Sequence, residues 1–339
     1  MIDSAMCTFV SATAIRQLGL ASLLLVLPFP ALAATNSLLA ATNTTAAGPG
    51  VELIRDPRFR RGFHLCRPTP GRHERYADLP GFDAQAPVWD LVQWSSRFPL
   101  EPRPLQEPTE ARVWTNLAKR VVLGRPGSAA GDLVLEVIGS AEYGNRARQS
   151  GEPWVHLLAE QPIPDAPALA EWAEARFRIG ARLLHAQQHR TPDYSPGLHA
   201  AQFQVFFTLQ YFRSGSPGAA RFLWFGVPLY DDRHRVPPAH KTRDTAGSEM
   251  FIFTPAGDRY TRASAHDGDW IRVDEDLLPL LREALETAWT QGFLADSRDF
   301  ADYRLTSINL GWEVPGILDV AMQVRDLSLE VRRAITPPR

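Results

Sequence analysis

Amide, imidazole, indole and carboxylate side chains recur in this sequence at strand-like spacing, each time opposite an apolar row. From Gln202 to Phe212 the apolar residues Phe203, Val205, Phe207, Leu209 and Tyr211 take the odd positions, so Gln202, Gln204, Thr208 and Gln210 share the other face. The same parity over Leu223 to Tyr230 sets Trp224 and Tyr230 opposite the core. In Trp154 to Gln161, Val155 and Leu157 suit a core, which leaves Trp154, His156 and Glu160 on the second face. Glu313 stands opposite Trp312 on a later stretch. The candidate set is therefore Trp154, His156, Gln202, Gln204, Trp224, Tyr230 and Glu313. Planar rings beside amides and an imidazole suit a sugar, because apolar sugar faces stack on rings and hydroxyls take side-chain donors and acceptors. The competing expectation is that inserted segments cover this face and make its aromatics a second core layer.

Carboxylates offer hydrolysis as an alternative. A glycosidase needs two, roughly 5 to 10 Å apart across the scissile bond. Glu313, Glu160, Glu142 and Asp231 lie near aromatics, but their spacing pairs no two of them. A polysaccharide lyase would use His156, His199 or Tyr230 as base, with the Gln202/Gln204 pair neutralising a uronate. The strand carrying Arg176, Arg178 and Arg182 could meet an acidic polymer, although a solvated face is the commoner use of such a row. His185 and His189 are four apart at a strand end or loop, with no third zinc ligand in view. Gly247-Ser248-Glu249 lacks the second glycine of a nucleophile elbow. Glycine-rich phosphate loops are absent, and no cofactor is implied.

The elements that must position these groups are mostly strands. Asp132–Ile138 reads as a strand buried on both sides, and Phe177–Leu183 alternates with arginines. Met250–Thr254 and Trp270–Val273 are further candidates. Ile308 to Val314 and Leu318 to Val324 alternate, after which Leu327, Leu329 and Val331 change phase, so a bulge is expected near Arg325. A short helix is expected over Ala166–Ala175. A longer one begins at Asp274 or Asp276 and runs to Gln291, with Leu277, Leu281, Leu285, Ala288 and Trp289 on one face and Gly292 as its stop. This order lacks the alternating βα pattern of a parallel sheet. The expected fold is mostly β: an antiparallel β-sandwich, or jelly roll, with one or two inserted helices.

Arg16, the apolar run Leu18 to Phe29 and the small-x-small site Ala31-Leu32-Ala33 read as a cleavable export signal over residues 1–33, with cleavage after Ala33 or Ala34. Residues 34–50 read as a flexible leader. Residues 51–335 read as a single β-sandwich domain whose stretch 51–110 is an irregular wrap with short edge strands. The mature chain is expected in the periplasm or the medium, with no membrane span once the signal is gone. A formal net charge of −2 gives no field for nucleic acid or an anionic membrane. Cys7 leaves with the signal, so Cys66 has no intramolecular partner and the protein must rely on its core, for which nine Trp and 45% hydrophobic residues supply material. Buried, Cys66 would be inert; an exported thiol could also react.

The carboxyl-terminal stretch DYRLTSINLGWEVPGILDVAMQVRDLSLEV resembles the closing strands of bacterial jelly-roll modules of the galactose-binding-like and carbohydrate-binding type. VELIRDPRFRRGFH resembles their first strand and turn. The resemblance implies a carbohydrate or polysaccharide partner, and a structural calcium through Asp56 or Asp326 would fit such modules. Three functions stay open at this point: a carbohydrate-binding sandwich, a lyase or glycoside hydrolase on the same scaffold, and an envelope interaction protein without a sugar ligand.

Overall fold

The computed structural model describes residues 48–102, 110–125, 127–129, 131–244 and 248–335. The export signal and nearly all of the expected leader therefore lie outside the described residues, as does Gly247.

In chain order the strands are β1 (Val51–Glu52), β2 (Gly62–Cys66), β3 (Arg75–Pro80), β4 (Trp89–Val92), β5 (Ala111–Thr115), β6 (Lys119–Gly124), β7 (Leu133–Ile138) and β8 (Val155–Pro162). They continue with β9 (Trp172–Gln188), β10 (Gln202–Tyr211), β11 (Phe222–Asp231), β12 (His240–Arg243), β13 (Phe251–Thr254), β14 (Ile271–Asp276), β15 (Tyr303–Val314) and β16 (Leu318–Arg333). Helix α1 is Gly139–Tyr143 and α2 is Leu278–Thr290. A seven-stranded sheet runs β14-β9-β16-β7-β6-β5, with β1 also on β16, and a nine-stranded sheet runs β12-β13-β11-β10-β15-β8-β4-β2-β3. Pairing is antiparallel except at β11/β13 and β2/β4. The fold is thus the expected β-sandwich.

Alternation explains how the layers close. On β10 the odd residues Phe203, Val205, Phe207, Leu209 and Tyr211 are all fully buried, and they meet Val320, Met322 and Val324 of β16 in one core cluster. Trp312 of β15 crosses the interlayer space and donates its indole N–H to the Leu135 carbonyl of β7 at 2.8 Å, which ties the two sheets by a satisfied buried donor. The expected change of phase in the last strand is present: the β16/β9 register shifts between Arg325 and Ser328, and Asp326 has φ 56°. Among the described residues no helix is long and apolar enough to cross a membrane.

Three elements differ from expectation. Ala166–Ala175 is no helix: a single 3-10 turn, Leu169–Glu171, leads directly into β9 at Trp172. Trp172, Ala175 and Phe177 are buried, and β9 gains ladder bonds to both β14 and β16, which outweigh local helix propensity. Helix α2 starts later than either aspartate, because Asp274 and Asp276 pair with Arg178 and Arg176 in β14. The Asp276 carboxylate then accepts the Leu278 N–H at 3.1 Å, which serves the helix start from within the strand. The stretch 51–110 holds four strands, and β4 is interior to the nine-stranded sheet, between β8 and β2.

Helix α2 buries Leu281, Leu285 and Trp289, and the Trp289 indole donates to Tyr303 Oη at 3.0 Å. Leu285 is fully buried, so Leu285→Asp places an unpaired charge where an apolar contact stood. The expected cost is several kcal/mol, on the order of 4. A thermal melt checks it, and a variant melting within a degree or two of the parent would remove α2 from the core.

Candidate functional site

The register of the nine-stranded sheet fixes which side chains share its outer face. Across β8, β15, β10 and β11, His156 pairs with Glu313, Glu313 with Gln202, and Gln202 with Asp231. The next row on that face is Leu158, Gly311, Gln204 and Pro228. The third is Glu160, Asn309, Phe206 and Gly226, with Asp90 of β4 beyond Glu160. Gly311 leaves the middle of the second row without a side chain. Its φ is 148° and a Cβ would fall 2.2 Å from the Leu157 carbonyl oxygen, so the opening beside Glu313 is built into the backbone.

Glu313 is the centre of this surface. Its Oε2 accepts the Trp154 indole N–H at 3.2 Å, and its Oε1 accepts a Gln204 amide N–H at 3.3 Å. His156 Nε2 lies 3.6 Å from Oε2, while His156 Nδ1 donates to the Trp154 carbonyl at 3.0 Å. The Glu313 side chain is 23% exposed. Burial works against its charge, yet the neighbouring His156, the indole and the amide hold its carboxyl below the usual glutamate range. The Trp154 and His156 rings lie 5.4 Å apart, and the Arg148 guanidinium sits over Trp154 at 5.3 Å. Four residues expected from the sequence are thus in one constellation: Trp154, His156, Gln204 and Glu313.

Gln202 is one strand position away and donates to Asp231 at 2.8 Å, so it faces outward but serves the Asp231–Arg233 pair. Trp224 is half-buried on the outer face of β11, edge-on to Phe222 at 4.9 Å and Phe206 at 5.9 Å. Tyr230 departs from expectation. It is 3% exposed and packs edge-on against Trp312 at 5.7 Å, on the core side. The cause is a bulge: Gln204 pairs with Pro228 and Phe203 with Tyr230, so Leu229 is an extra residue that reverses the parity of everything after it. Asp231 thereby takes the outward place that alternation assigns to Tyr230.

Two ring systems escaped the sequence reading. Trp94, just past β4, lies 5.6 Å from His156 and 6.1 Å from His73, and His73 Nε2 meets Glu160 at 2.6 Å. With Cys66, Val92 and Leu158 it makes a small apolar cluster that walls one side of the Glu313 surface. Phe206 sits at an even position of β10, and the parity that marks Gln204 also marks it.

No protein-family model matches the chain, and no curated protein sequence matches it. Solved structures do align with it. An endoglucanase from Rhodothermus marinus aligns over 66% of this chain and 92% of its own, at 10% identity and TM-score 0.36. A family 12 xyloglucanase from Bacillus licheniformis aligns over 69% and 99%, at 9% identity and TM-score 0.37. The family 11 xylanase from Neocallimastix patriciarum aligns over 65% and 90%, at 8% identity and TM-score 0.34.

The remaining sequence candidates are occupied elsewhere. Glu142 is fully buried against Lys119. Asp231 is 1% exposed and bound by Arg233. His199, 1% exposed, accepts the Ser195 N–H at Nδ1 and donates to the Arg148 carbonyl from Nε2, so both nitrogens are spent on the fold. His199 and Tyr230 thus lie inside, and of the three bases considered for a lyase only His156 stands on the outer face, beside Glu313. Arg176 and Arg178 pair with Asp274, His185 with Glu136 and His189 with Asp319. Asp56 caps a turn by accepting the Arg60 and Arg61 N–H groups, and Asp326 lies beside Arg325. Among the described residues no three His, Cys, Asp or Glu side chains group to hold a metal. Cys66 is buried, and burial pushes its thiol up to about 12.

Proposed function

We propose that the outer face of the nine-stranded sheet binds a polysaccharide chain, centred on Glu313. The observation that carries this is the Glu313 carboxylate, 23% exposed on the outer sheet face and held among Trp154, His156 and Gln204. Half-buried rings lie on both sides of it: Trp94 toward β4, and Phe206 with Trp224 toward β11. Rings spaced along a strip accept successive sugar faces, and the carboxylate between them accepts hydroxyl hydrogens.

Hydrolysis on this surface is the second reading, and Glu313 is what favours it, being one half of a glycosidase pair. The other half is not beside it. The groups hydrogen-bonded to Glu313 are the Trp154 indole and the Gln204 amide, neither of which protonates a leaving group or attacks a sugar. Glu160 pairs with Asn309, four residues along β15 from Glu313, a backbone separation of about 13 Å, and its carboxylate is engaged by His73 at 2.6 Å rather than directed at Glu313. Binding without turnover is therefore the leading reading.

A polysaccharide array read for both retention and reducing-end release tests it. Retention of at least one glycan without release is expected. Trp224→Ala should weaken that retention about thirtyfold, a loss of about 2 kcal/mol, while its melting point stays within a few degrees. Release of reducing ends by the unaltered chain would replace binding with hydrolysis, and a steep drop in melting point would make Trp224 a core residue.

A further inference from the structure

A second site lies at one end of the sandwich, where the two sheets part. There the last turn of β9 and the start of β16 face the end of β11 and the short turn at Ala265–Asp267 across a cavity of 440 Å³. Its lining combines Leu183, Ala186 and Leu318 with Tyr230, Asp232 and His266. The bulge at Leu229 creates this site, since it turns the Tyr230 ring inward and carries Asp232 to the rim.

The polar groups here are acceptors with capacity left over. His266 Nε2 donates to the Asp231 and His234 carbonyls at 2.9 and 3.1 Å, which fixes the tautomer and leaves Nδ1 with a lone pair in the neutral ring. The ring is held against Tyr230, centroids 4.7 Å apart. Asp232 accepts the Ala201 N–H at 2.7 Å and a Gln188 N–H at 3.4 Å, which leaves further lone-pair positions on a carboxylate. Tyr230 is 3% exposed as a residue and lines the cavity, and no hydrogen bond engages its hydroxyl among the described residues. A ring held inside with an unengaged hydroxyl at a cavity wall can donate to or accept from what enters. The other carboxylate at the rim, Asp267, is taken by Arg235 at 2.7 Å. Acidic groups thus outnumber unspent cations, which disfavours an anion. Burial raises the Asp232 carboxyl above the ordinary range, which weakens it as an ammonium partner and suits it to a neutral hydroxyl.

We propose that this cavity binds a neutral sugar of one or two rings, its hydroxyls donating to Asp232, His266 Nδ1 and Tyr230 Oη and its apolar face lying on Leu183 and Leu318. The volume falls within the usual span for small-molecule sites, and a mainly polar lining with the apolar patch of Leu183 and Leu318 suits a pyranose, which presents many hydroxyls and one apolar face. The site is separate from the Glu313 surface, which lies on the opposite side of the nine-stranded sheet, and it does not rest on that reading.

The test is isothermal titration of the full chain with glucose, galactose, mannose, cellobiose and lactose, and with putrescine and inorganic phosphate as the cationic and anionic probes. At least one sugar is expected to saturate with one site, and putrescine and phosphate are not. Tyr230→Phe keeps the ring and should weaken that sugar about tenfold, the worth of one buried hydrogen bond to a ligand. Ala186→Trp, at an exposed position, should plug the cavity and abolish the titration while polysaccharide retention is unchanged. No saturation by any sugar overturns the proposal. So does saturation that Ala186→Trp leaves intact, which places the sugar elsewhere, and so does saturation by putrescine or phosphate alone.

Discussion

Gln204→Glu is expected to release reducing ends from a retained polysaccharide at least a hundredfold faster than the unaltered chain. Gln204 pairs with Gly311 and Glu313 with Gln202, so the two are diagonal neighbours on adjacent strands, and their end groups touch at 3.3 Å. Diagonal neighbours have Cα atoms about 7 to 8 Å apart, which lets side-chain termini stand at the roughly 5 Å of a retaining carboxyl pair. A glutamate at 204 would then face an ionised glutamate already held by Trp154 and His156. Two carboxylates at that distance cannot both stay charged at little cost, so one rises in pKa and becomes the proton donor while the other remains the nucleophile. The division is set in advance, because Glu313 keeps the indole and the nearby imidazole while residue 204 contacts neither of them. General acid–base assistance is worth about 10² to 10⁴ in rate, which sets the expected gain. Gln204→Leu, which cannot ionise, should give none. If Gln204→Glu retains the glycan and releases nothing above background, the Gln204–Glu313 pair is not a retaining pair short of one carboxylate, and the surface serves recognition by a different logic.

How far the sequence could be read depended on whether each residue's neighbours were local. Strand parity needs only residues two apart, and it placed Gln202, Gln204, Trp224, Trp154, His156 and Glu313 on the outer side. It could not bring Glu313 to Gln204, which are 109 residues apart, because strand order is a property of the whole sheet. Tyr230 shows where local reasoning fails within a strand. One extra residue at Leu229 reverses the faces, and nothing in the run FLWFGVPLYD marks the bulge except Gly226 and Pro228, which signal irregularity without its position. Trp94 follows a four-residue strand in a segment rich in proline and arginine, where no period is long enough to assign a face. The late start of α2 has a similar cause, since acidic residues at a helix start and polar residues at a strand end look alike. Glu142 was legible only as one acid among several near aromatics. Its partner Lys119 lies across a sequence gap that no spacing rule bridges.

That pair carries the largest stability effect expected for a polar residue in this chain. Lys119, at the first position of β6, and Glu142 of α1 are both fully buried at the side chain. The Lys119 ammonium contacts Glu142 Oε1 and Ser96 Oγ, and it reaches the Phe98 carbonyl at 3.4 Å. Ser96 Oγ donates to Glu142 Oε1 at 2.7 Å, and the Arg97 N–H donates to Oε2 at 2.8 Å. The network fastens the segment after β4 to both β6 and α1, so it also holds the segment that begins with Trp94 in place. Burial pushes the Lys119 ammonium below its ordinary range, and the adjacent carboxylate opposes that push. A buried pair of this kind adds little over an apolar replacement of both members, but losing one member strands the other's charge. Lys119→Met should therefore cost about 3 to 5 kcal/mol, a fall in melting temperature of about 10 °C for a domain of this size. Adding Glu142→Gln removes the stranded charge while an amide oxygen still accepts from Arg97, so the double variant should recover about half of the loss. Thermal melts of the parent, both single variants and the double variant measure this as a coupling energy. Losses that simply add, with no recovery in the double variant, would mean that Glu142 is not charged against Lys119, and that packing of the segment rather than the ion pair holds it.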